Sequence, residues 1–237
     1  MKSQVQKSIF YFSQPSPQIL FFDAVYTITV LIYYSTSQSS TGREIFPEWC
    51  KSQGLNVIEI FSREQLDSLD FQKRDLLISD RTSFIFEKEW LSSNTLLKVN
   101  VHPSLLPRHR GSFPIFWSAL LGSKWGVTLH KIEEGIDDGP IVDQVEISYD
   151  DTCSFRDLYE KYRSVTQIIL EEMVIKFAKG YNFEGTPQPK ITFNPHTVKK
   201  SKKLFEKLSA GWDTRIVDAR SQLEKEIYIF MQENTQT

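Results

Sequence analysis

Residues 98–142 read KVNVHPSLLPRHRGSFPIFWSALLGSKWGVTLHKIEEGIDDGPIV, and this stretch decides the fold. It contains apolar segments of strand and helix length, separated by turn residues such as proline and glycine. We therefore predict a strand, a proline-rich loop, a helix and two further strands, at Lys98–His102, 103–114, Ile115–Leu121, Gly126–Ile132 and Ile141–Ile147.

The alternation of strands and helices continues outside this stretch. Short apolar runs predict strands buried on both faces, at Ile9–Phe12, Ile28–Tyr34, Asn56–Ile60 and Asp75–Ser79. Residues 42–54 predict a helix between two of these strands, and residues 154–179 carry apolar side chains at helical spacing up to Gly180. This order predicts an α/β fold, a Rossmann-like open sheet with helices on both faces.

The C-terminal part of the chain differs in composition from the rest. We predict a catalytic domain over residues 1–185 and a small, mostly helical appendage over residues 186–237, with one or two helices in residues 197–231. The appendage carries large apolar side chains that must pack on something, either as a cap on the same subunit or at a homodimer contact, which we favour: Leu204, Phe205, Leu208, Trp212, Ile216, Leu223, Ile227 and Phe230.

Composition excludes several classes of protein. The net charge of −2 across 237 residues gives no basic excess, so we expect no nucleic-acid partner. Cys50 and Cys153 form no Cys-x-x-Cys pattern, and no metal site is predicted. Residues 19–34 are apolar but too short to span a membrane, and the N-terminus lacks the features of a signal peptide, so we expect a cytoplasmic protein.

Polar side chains that suit acyl transfer cluster in residues 98–142. Asn100 and His102 lie two apart at the end of a predicted strand, so they share a face, and Asp137 and Asp138 follow in a later turn. An amide can stabilise an oxyanion, and a histidine and a carboxylate can move a proton. From spacing alone, ordinary turn residues with satisfied hydrogen bonds remain the alternative.

The order of motifs resembles one known family. Asn100-Val-His102-Pro-Ser-Leu-Leu-Pro107, then Arg110-Gly, then Gly-Ile-Asp137-Asp-Gly-Pro, is similar to the 10-formyltetrahydrofolate-dependent formyltransferases. The resemblance implies that Asn100, His102 and Asp137 are the catalytic trio. Asp137 is preferred to Asp138 because it directly follows an aliphatic residue, as the family aspartate does.

The resemblance also implies a folate co-substrate and a place for it. Family members hold the pterin with the segment after the strand that precedes the Asn-x-His motif, here residues 81–91. We therefore expect 10-formyltetrahydrofolate, without a metal, to contact Phe84, Ile85, Phe86 and Leu91. Ordinary core packing is the alternative for each of these side chains.

The acceptor amine is less well defined by the resemblance. The stretch SQPSPQ, after the first predicted strand, lacks the glycine-rich phosphate loop of glycinamide ribonucleotide transformylases. Only about 50 residues follow the predicted catalytic core, which is too few for the tRNA-binding domain of methionyl-tRNA formyltransferases. Phe113-Pro-x-Phe-Trp117 resembles nucleotide-sugar formyltransferases.

We therefore expect a nucleotide-diphosphate-linked amino sugar as the acceptor, with a 4-amino-4,6-dideoxyhexose of O-antigen or lipopolysaccharide synthesis as the best match. Arg110 and Trp117 are its candidate contacts, with helix packing as the alternative for Trp117. Glycinamide ribonucleotide and methionyl-tRNA formylation are alternatives, and a degenerate folate-binding module is the non-enzymatic one.

Overall fold

A computed structural model of the chain describes residues 31–36, 45–71, 75–82, 84–93, 96–190 and 195–235. The predicted strand Ile9–Phe12 and most of the apolar segment 19–34 lie outside the described residues. No helix among those that the structure describes is long and apolar enough to cross a membrane.

One six-stranded sheet forms the centre of the described part. Its strands are β1 (Leu31–Thr36), β2 (Asn56–Ile60), β3 (Leu76–Asp80), β4 (Leu97–His102), β5 (Trp125–Lys131) and β6 (Ile141–Ile147). Their order across the sheet is β2-β1-β3-β4-β5-β6. The first four strands pair in parallel, whereas β5 runs antiparallel to both β4 and β6. The predicted α/β fold is confirmed, and the strands predicted between residues 56 and 147 form with small shifts at their ends.

Helices connect and follow these strands. In the first part of the chain they are α1 (Ile45–Ser52), α2 (Arg63–Asp67), α3 (Lys88–Ser93), α4 (Pro114–Leu120) and α5 (Phe155–Ala178). The long helix α5 begins where predicted because the Ser154 hydroxyl accepts a hydrogen bond from the Asp157 N–H at 3.1 Å, while the Asp157 carboxylate accepts one from the Ser154 N–H at 2.8 Å. It ends before Gly180, whose φ of +77° suits a residue without Cβ.

The C-terminal part contains more helices than the sequence predicts. Instead of one or two, it forms α6 (Val198–Phe205), a 3-10 turn (Gly211–Asp213), α7 (Ile216–Gln222) and α8 (Glu224–Thr235). The break between α6 and α7 is set by a tertiary contact: an isolated bridge joins Arg215 to Ser154 at the start of α5. A contact over such a distance leaves no periodic signal in the sequence.

The apolar side chains of this C-terminal part pack on the same subunit. Leu204, Leu208, Ile216 and Leu223 are buried in the main core, together with Phe155, Tyr162 and Trp125. Phe205, Ile227 and Phe230 pack against that core from outside. The cap on the same subunit is therefore present, whereas the homodimer and the boundary at residue 185 stay predictions.

Candidate active site

The pairing of β4 with β5 brings four polar side chains to one face of the sheet. Asn100 lies directly opposite His130, and His102 lies opposite Thr128. Because directly paired residues of antiparallel strands point to the same side, these four side chains are neighbours. His130 did not enter the predicted trio, although its alternation with Thr128 along β5 is visible in the sequence.

The connection between β5 and β6 carries Asp137 over this face. Asp137 has a left-handed backbone, with φ of +52°, which aspartate tolerates better than most residues. Two positions later the chain passes so close to β5 that a Cβ on Gly139 would lie 2.0 Å from the Lys131 carbonyl oxygen. Only glycine fits there, and this close approach determines how the aspartate is presented.

Asp137 is the central acceptor of the site. One carboxylate oxygen accepts the Gly111 N–H at 2.8 Å and lies 3.4 Å from His102 Nδ1. The other accepts a hydrogen bond from Asn100 Nδ2 at 3.3 Å and lies 3.5 Å from His130 Nε2. The structure thus brings together all three residues of the predicted trio and adds His130.

Backbone carbonyls fix the protonated nitrogen of both histidines. His102 Nε2 donates to the His109 carbonyl at 2.9 Å, and His130 Nδ1 donates to the Lys131 carbonyl at 2.8 Å. A carbonyl only accepts, so each of these nitrogens carries a proton. His130 Nε2 is then an acceptor for Asn100 Nδ2, 3.1 Å away.

Burial and charge act in opposite directions on the ionisable groups. Burial raises the pKa of Asp137, but His102, His130 and the Gly111 N–H outweigh it and hold that pKa below its usual range. Burial lowers the pKa of His102 more than Asp137 and the His109 carbonyl raise it. At neutral pH we therefore describe the site as an ionised aspartate beside a neutral histidine.

The exposure of these groups suggests different roles. The His102 side chain is 5% exposed, and both of its nitrogens face protein atoms. Asn100 is only half-buried, and Asp137 keeps some exposure. A reacting group reaches the asparagine and the aspartate more easily than the histidine, whose Nδ1 faces Asp137 without a proton of its own and can accept one from it.

A glutamine far along the chain holds the Asp137 turn. Gln188 Nε2 donates to the carbonyls of Asp137 and Gly139 at 2.9 and 2.8 Å. Its Oε1 accepts from the Arg110 guanidinium at 2.7 Å, and Arg110 Nη1 lies 2.6 Å from Asp138 Oδ1. Sequence reasoning missed Gln188 because an isolated glutamine in a loop carries no signal of its own.

The predicted substrate contacts differ in accessibility. Arg110 is 9% exposed and paired with Asp138, and its contact with substrate stays a prediction. Trp117 is 1% exposed, and its indole N–H donates to the Ser201 hydroxyl at 2.8 Å. The burial of Trp117 favours the helix-packing alternative over a substrate contact.

The predicted folate residues lie together after β3. Phe84, Phe86 and Leu91 are half-buried against a second apolar core that contains Trp90, and the Phe86 ring lies 5.4 Å from the Trp90 ring. Ile85, by contrast, is 75% exposed. Of the four, Ile85 has the most surface available to a ligand.

Nothing in the part of the chain that the structure describes resembles a metal centre. No group of three or more histidine, cysteine, aspartate or glutamate side chains there is arranged to hold a metal ion.

Comparison with protein families assigns the chain. Residues 28–174, more than half of its length, match the family model described as formyl transferase. The chain belongs to the formyl transferase family. The matched range contains the whole cluster of Asn100, His102, His130 and Asp137, whereas Gln188 lies beyond it.

One member of the family is similar to this chain over most of its length. A methionyl-tRNA formyltransferase of Thermosipho melanesiensis is 32% identical over 187 residues, which are 76% of this chain and 60% of that protein. The chain spans less than two thirds of that relative.

Among solved structures, the formyltransferase PseJ of Anoxybacillus kamchatkensis matches with a TM-score of 0.66 and 25% identity, over 80% of this chain and 97% of PseJ. That structure contains UDP-4,6-dideoxy-4-formamido-L-AltNAc and tetrahydrofolate. An N-formyltransferase of Helicobacter canadensis, in complex with folinic acid and dTDP-3-aminofucose, has a TM-score of 0.61 over 81% of this chain and 80% of its own. At 19% identity it supports the fold alone.

Proposed function

We propose that the protein transfers a formyl group from 10-formyltetrahydrofolate to the amine of a nucleotide-diphosphate-linked amino sugar. The observation that carries this proposal is the arrangement around Asp137: an amide donor lies 3.3 Å, and a buried histidine nitrogen 3.4 Å, from the oxygens of this ionised carboxylate. The family supplies the reaction class, and these residues are the groups that such a reaction needs.

The reaction requires one bond to form, one to break and one proton to move. The uncharged acceptor amine attacks the formyl carbon, and the carbonyl oxygen becomes an oxyanion that Asn100 Nδ2 binds after giving up one of its present acceptors. Asp137, supported by His102, takes the proton that the amine loses, directly or through water. The bond from the formyl carbon to folate N10 then breaks, and that proton ends on N10.

The folate site is supported by an exposed apolar residue. PseJ, which this chain covers almost completely, binds tetrahydrofolate. In this chain Ile85 is 75% exposed although it is aliphatic, beside a half-buried aromatic pair, Phe84 and Phe86. We infer that the pterin packs on Ile85 and this pair.

Replacement of Ile85 by Asp should weaken folate binding without affecting the fold. A charge on the face that meets the pterin should raise the Kd for folinic acid by about tenfold or more, which is about 1.4 kcal/mol. Fluorescence titration with folinic acid measures it. Ile168→Asp, on an exposed residue of α5, is the matched control and should bind like the wild type. Equal affinity for folinic acid in both variants would show that the folate does not bind at Ile85.

Two observations favour different acceptors. The match to PseJ extends over 97% of that protein, whose structure contains a formylated nucleotide sugar. Against this, the identity to a methionyl-tRNA formyltransferase is 32%, higher than the 25% to PseJ. We favour the nucleotide sugar because the similarity covers a whole sugar enzyme, and we keep methionyl-tRNA as the second candidate.

A panel of acceptors distinguishes the candidates. Each is incubated with the protein and 10-formyltetrahydrofolate, and release of tetrahydrofolate and the mass of the product are measured. The panel holds dTDP-, UDP- and GDP-linked 3-amino and 4-amino sugars, methionyl-tRNA and glycinamide ribonucleotide. We expect turnover with a nucleotide-linked amino sugar, first of all a 4-amino-4,6-dideoxyhexose. Turnover restricted to methionyl-tRNA would replace the acceptor, and binding of folinic acid without any turnover would favour a binding module.

Two further aspects of the proposal concern the setting of the reaction. A formylated amino sugar of this class would be used in O-antigen or lipopolysaccharide synthesis, and enzymes that supply activated sugars act in the cytoplasm. The homodimer remains part of the proposal, with Tyr228, Ile229 and Met231 exposed on α8 as apolar surface for it. The mass of the protein in solution at micromolar concentration tests the dimer.

A further inference from the structure

The C-terminal segment 195–201 contacts the loop that supports the candidate site. The His196 N–H donates to the Arg110 carbonyl at 2.8 Å, and the His196 carbonyl accepts the Ser112 N–H at 2.8 Å. Between these bonds a Cβ on Gly111 would lie 2.4 Å from the His196 carbonyl oxygen. The loop and the segment are therefore in direct backbone contact, and glycine is required between them.

The His196 ring adds a specific contact to this backbone pairing. It stacks on Trp117 with ring centroids 4.3 Å apart, and its Nε2 lies 3.2 Å from His109 Nδ1. Burial lowers the pKa of His109 to about 3 and that of His196 to about 4. The positive charge of Arg108 near His109, and that of Lys200 near His196, act in the same direction. Both rings are neutral at pH 7, so one can donate to the other.

The residue bonded to His196 is the one that binds His102. The His109 carbonyl accepts the hydrogen bond from His102 Nε2, and Gly111, two residues on, donates to Asp137. His109 has a left-handed backbone with φ of +57°, which is unfavourable for a residue with a Cβ and persists only when surrounding contacts stabilise it. The His109 ring has such contacts at both nitrogens, to His196 and to the Ser123 hydroxyl at 2.9 Å.

We propose that His196 is a positioning residue for formyl transfer, which holds His109 in the conformation that orients His102 and Asp137. This inference rests on the proposed function. It places part of the catalytic support outside residues 28–174, the range that the family model covers. His196 itself is 7% exposed and contacts the His109 ring, so it acts through His109.

A second aromatic residue separates positioning from packing. Phe230 on α8 belongs to the same stack, 4.9 Å from the Trp117 ring and 5.7 Å from the His196 ring. A phenyl ring cannot form the hydrogen bond that His196 makes to His109. Phe230→Ala therefore removes a similar contact with the stack and leaves the support of the loop in place.

The test compares His196→Phe with Phe230→Ala in the full chain. His196→Phe keeps a ring on Trp117 and removes the bond to His109. We expect kcat to fall by about tenfold, the loss that a small misplacement of catalytic groups causes, with KM for both substrates within about twofold. Phe230→Ala should keep kcat near the wild-type value even if its Tm falls as far as the Tm of His196→Phe.

An exchange measurement gives a readout that needs no acceptor. Hydrogen exchange at the Gly111 amide should be at least about tenfold faster in His196→Phe than in Phe230→Ala, because that amide is released from Asp137 when the loop moves. Unchanged exchange and a kcat within twofold of the wild type would overturn the proposal. If His196→Phe does not fold, His196→Leu, whose side chain likewise cannot form the hydrogen bond to His109, takes its place under the same criteria. An inactive wild-type protein whose Gly111 exchange still responds would contradict the proposed function and leave the positioning intact.

Discussion

Asp137→Asn should reduce kcat by about 10⁴-fold, as does the loss of the carboxylate beside a catalytic histidine in other acyl-transfer sites. The amide has one acceptor where the carboxylate has two, so the contacts with the Gly111 N–H, Asn100 and His102 cannot all persist. It also removes the negative charge that receives the proton of the amine. Single-turnover measurements with saturating folate and the best acceptor report this loss directly.

The backbone of this variant should remain as it is, because asparagine occupies left-handed conformations as readily as aspartate does. We therefore expect the variant to fold, with a Tm lowered by the loss of one hydrogen bond to the carboxylate. Asp138→Asn is the matched control: its carboxylate is half exposed and faces Arg110. If Asp138→Asn lost as much activity as Asp137→Asn, the assignment of the catalytic carboxylate would be wrong.

Asn100→Ala should reduce kcat by about 10²–10³-fold, the effect of removing one donor to a developing oxyanion. The donor acts mainly in the transition state, so KM should change little. Among the three side chains of the trio, Asn100 is the one that offers a partly exposed N–H donor to the substrate. Initial rates at several concentrations of donor and acceptor separate kcat from KM.

The control for this variant is another asparagine truncated in the same way. Asn182, an exposed loop residue that donates to Glu184 at 3.0 Å, should tolerate alanine with no change in kcat. Folinic acid should bind Asn100→Ala with nearly the wild-type Kd. A kcat for Asn100→Ala within threefold of the wild type would exclude this amide from the oxyanion site.

The sequence predicts the sheet because its strands are short apolar runs. All five residues of β3 are buried, and burial on both faces leaves the continuous apolar run of its first three residues, Leu76–Ile78. The start of α5 is equally local, since Ser154 and Asp157 cap it within one turn. Helices and strands that depend on residues close together in the sequence can be predicted without a structure.

The support of the candidate site is not local, and the sequence does not reveal it. His130 joins the site through the pairing register of β4 and β5, which spacing along the chain does not give. Gln188 and His196 reach their partners across 51 and 87 positions. The motifs predict the groups that we propose for the reaction, whereas the residues that orient these groups have no recognisable pattern.

The left-handed backbone at residue 137 has a consequence for the evolution of such proteins. With φ of +52°, this position admits Asp, Asn and Gly far more readily than longer or branched side chains. Aspartate and asparagine codons differ by a single nucleotide, so one mutation can remove the chemistry of a duplicated gene and leave its product folded. Such a copy would keep its ligand-binding surfaces under selection, and a regulatory or storage protein could descend from the enzyme without passing through an unfolded intermediate.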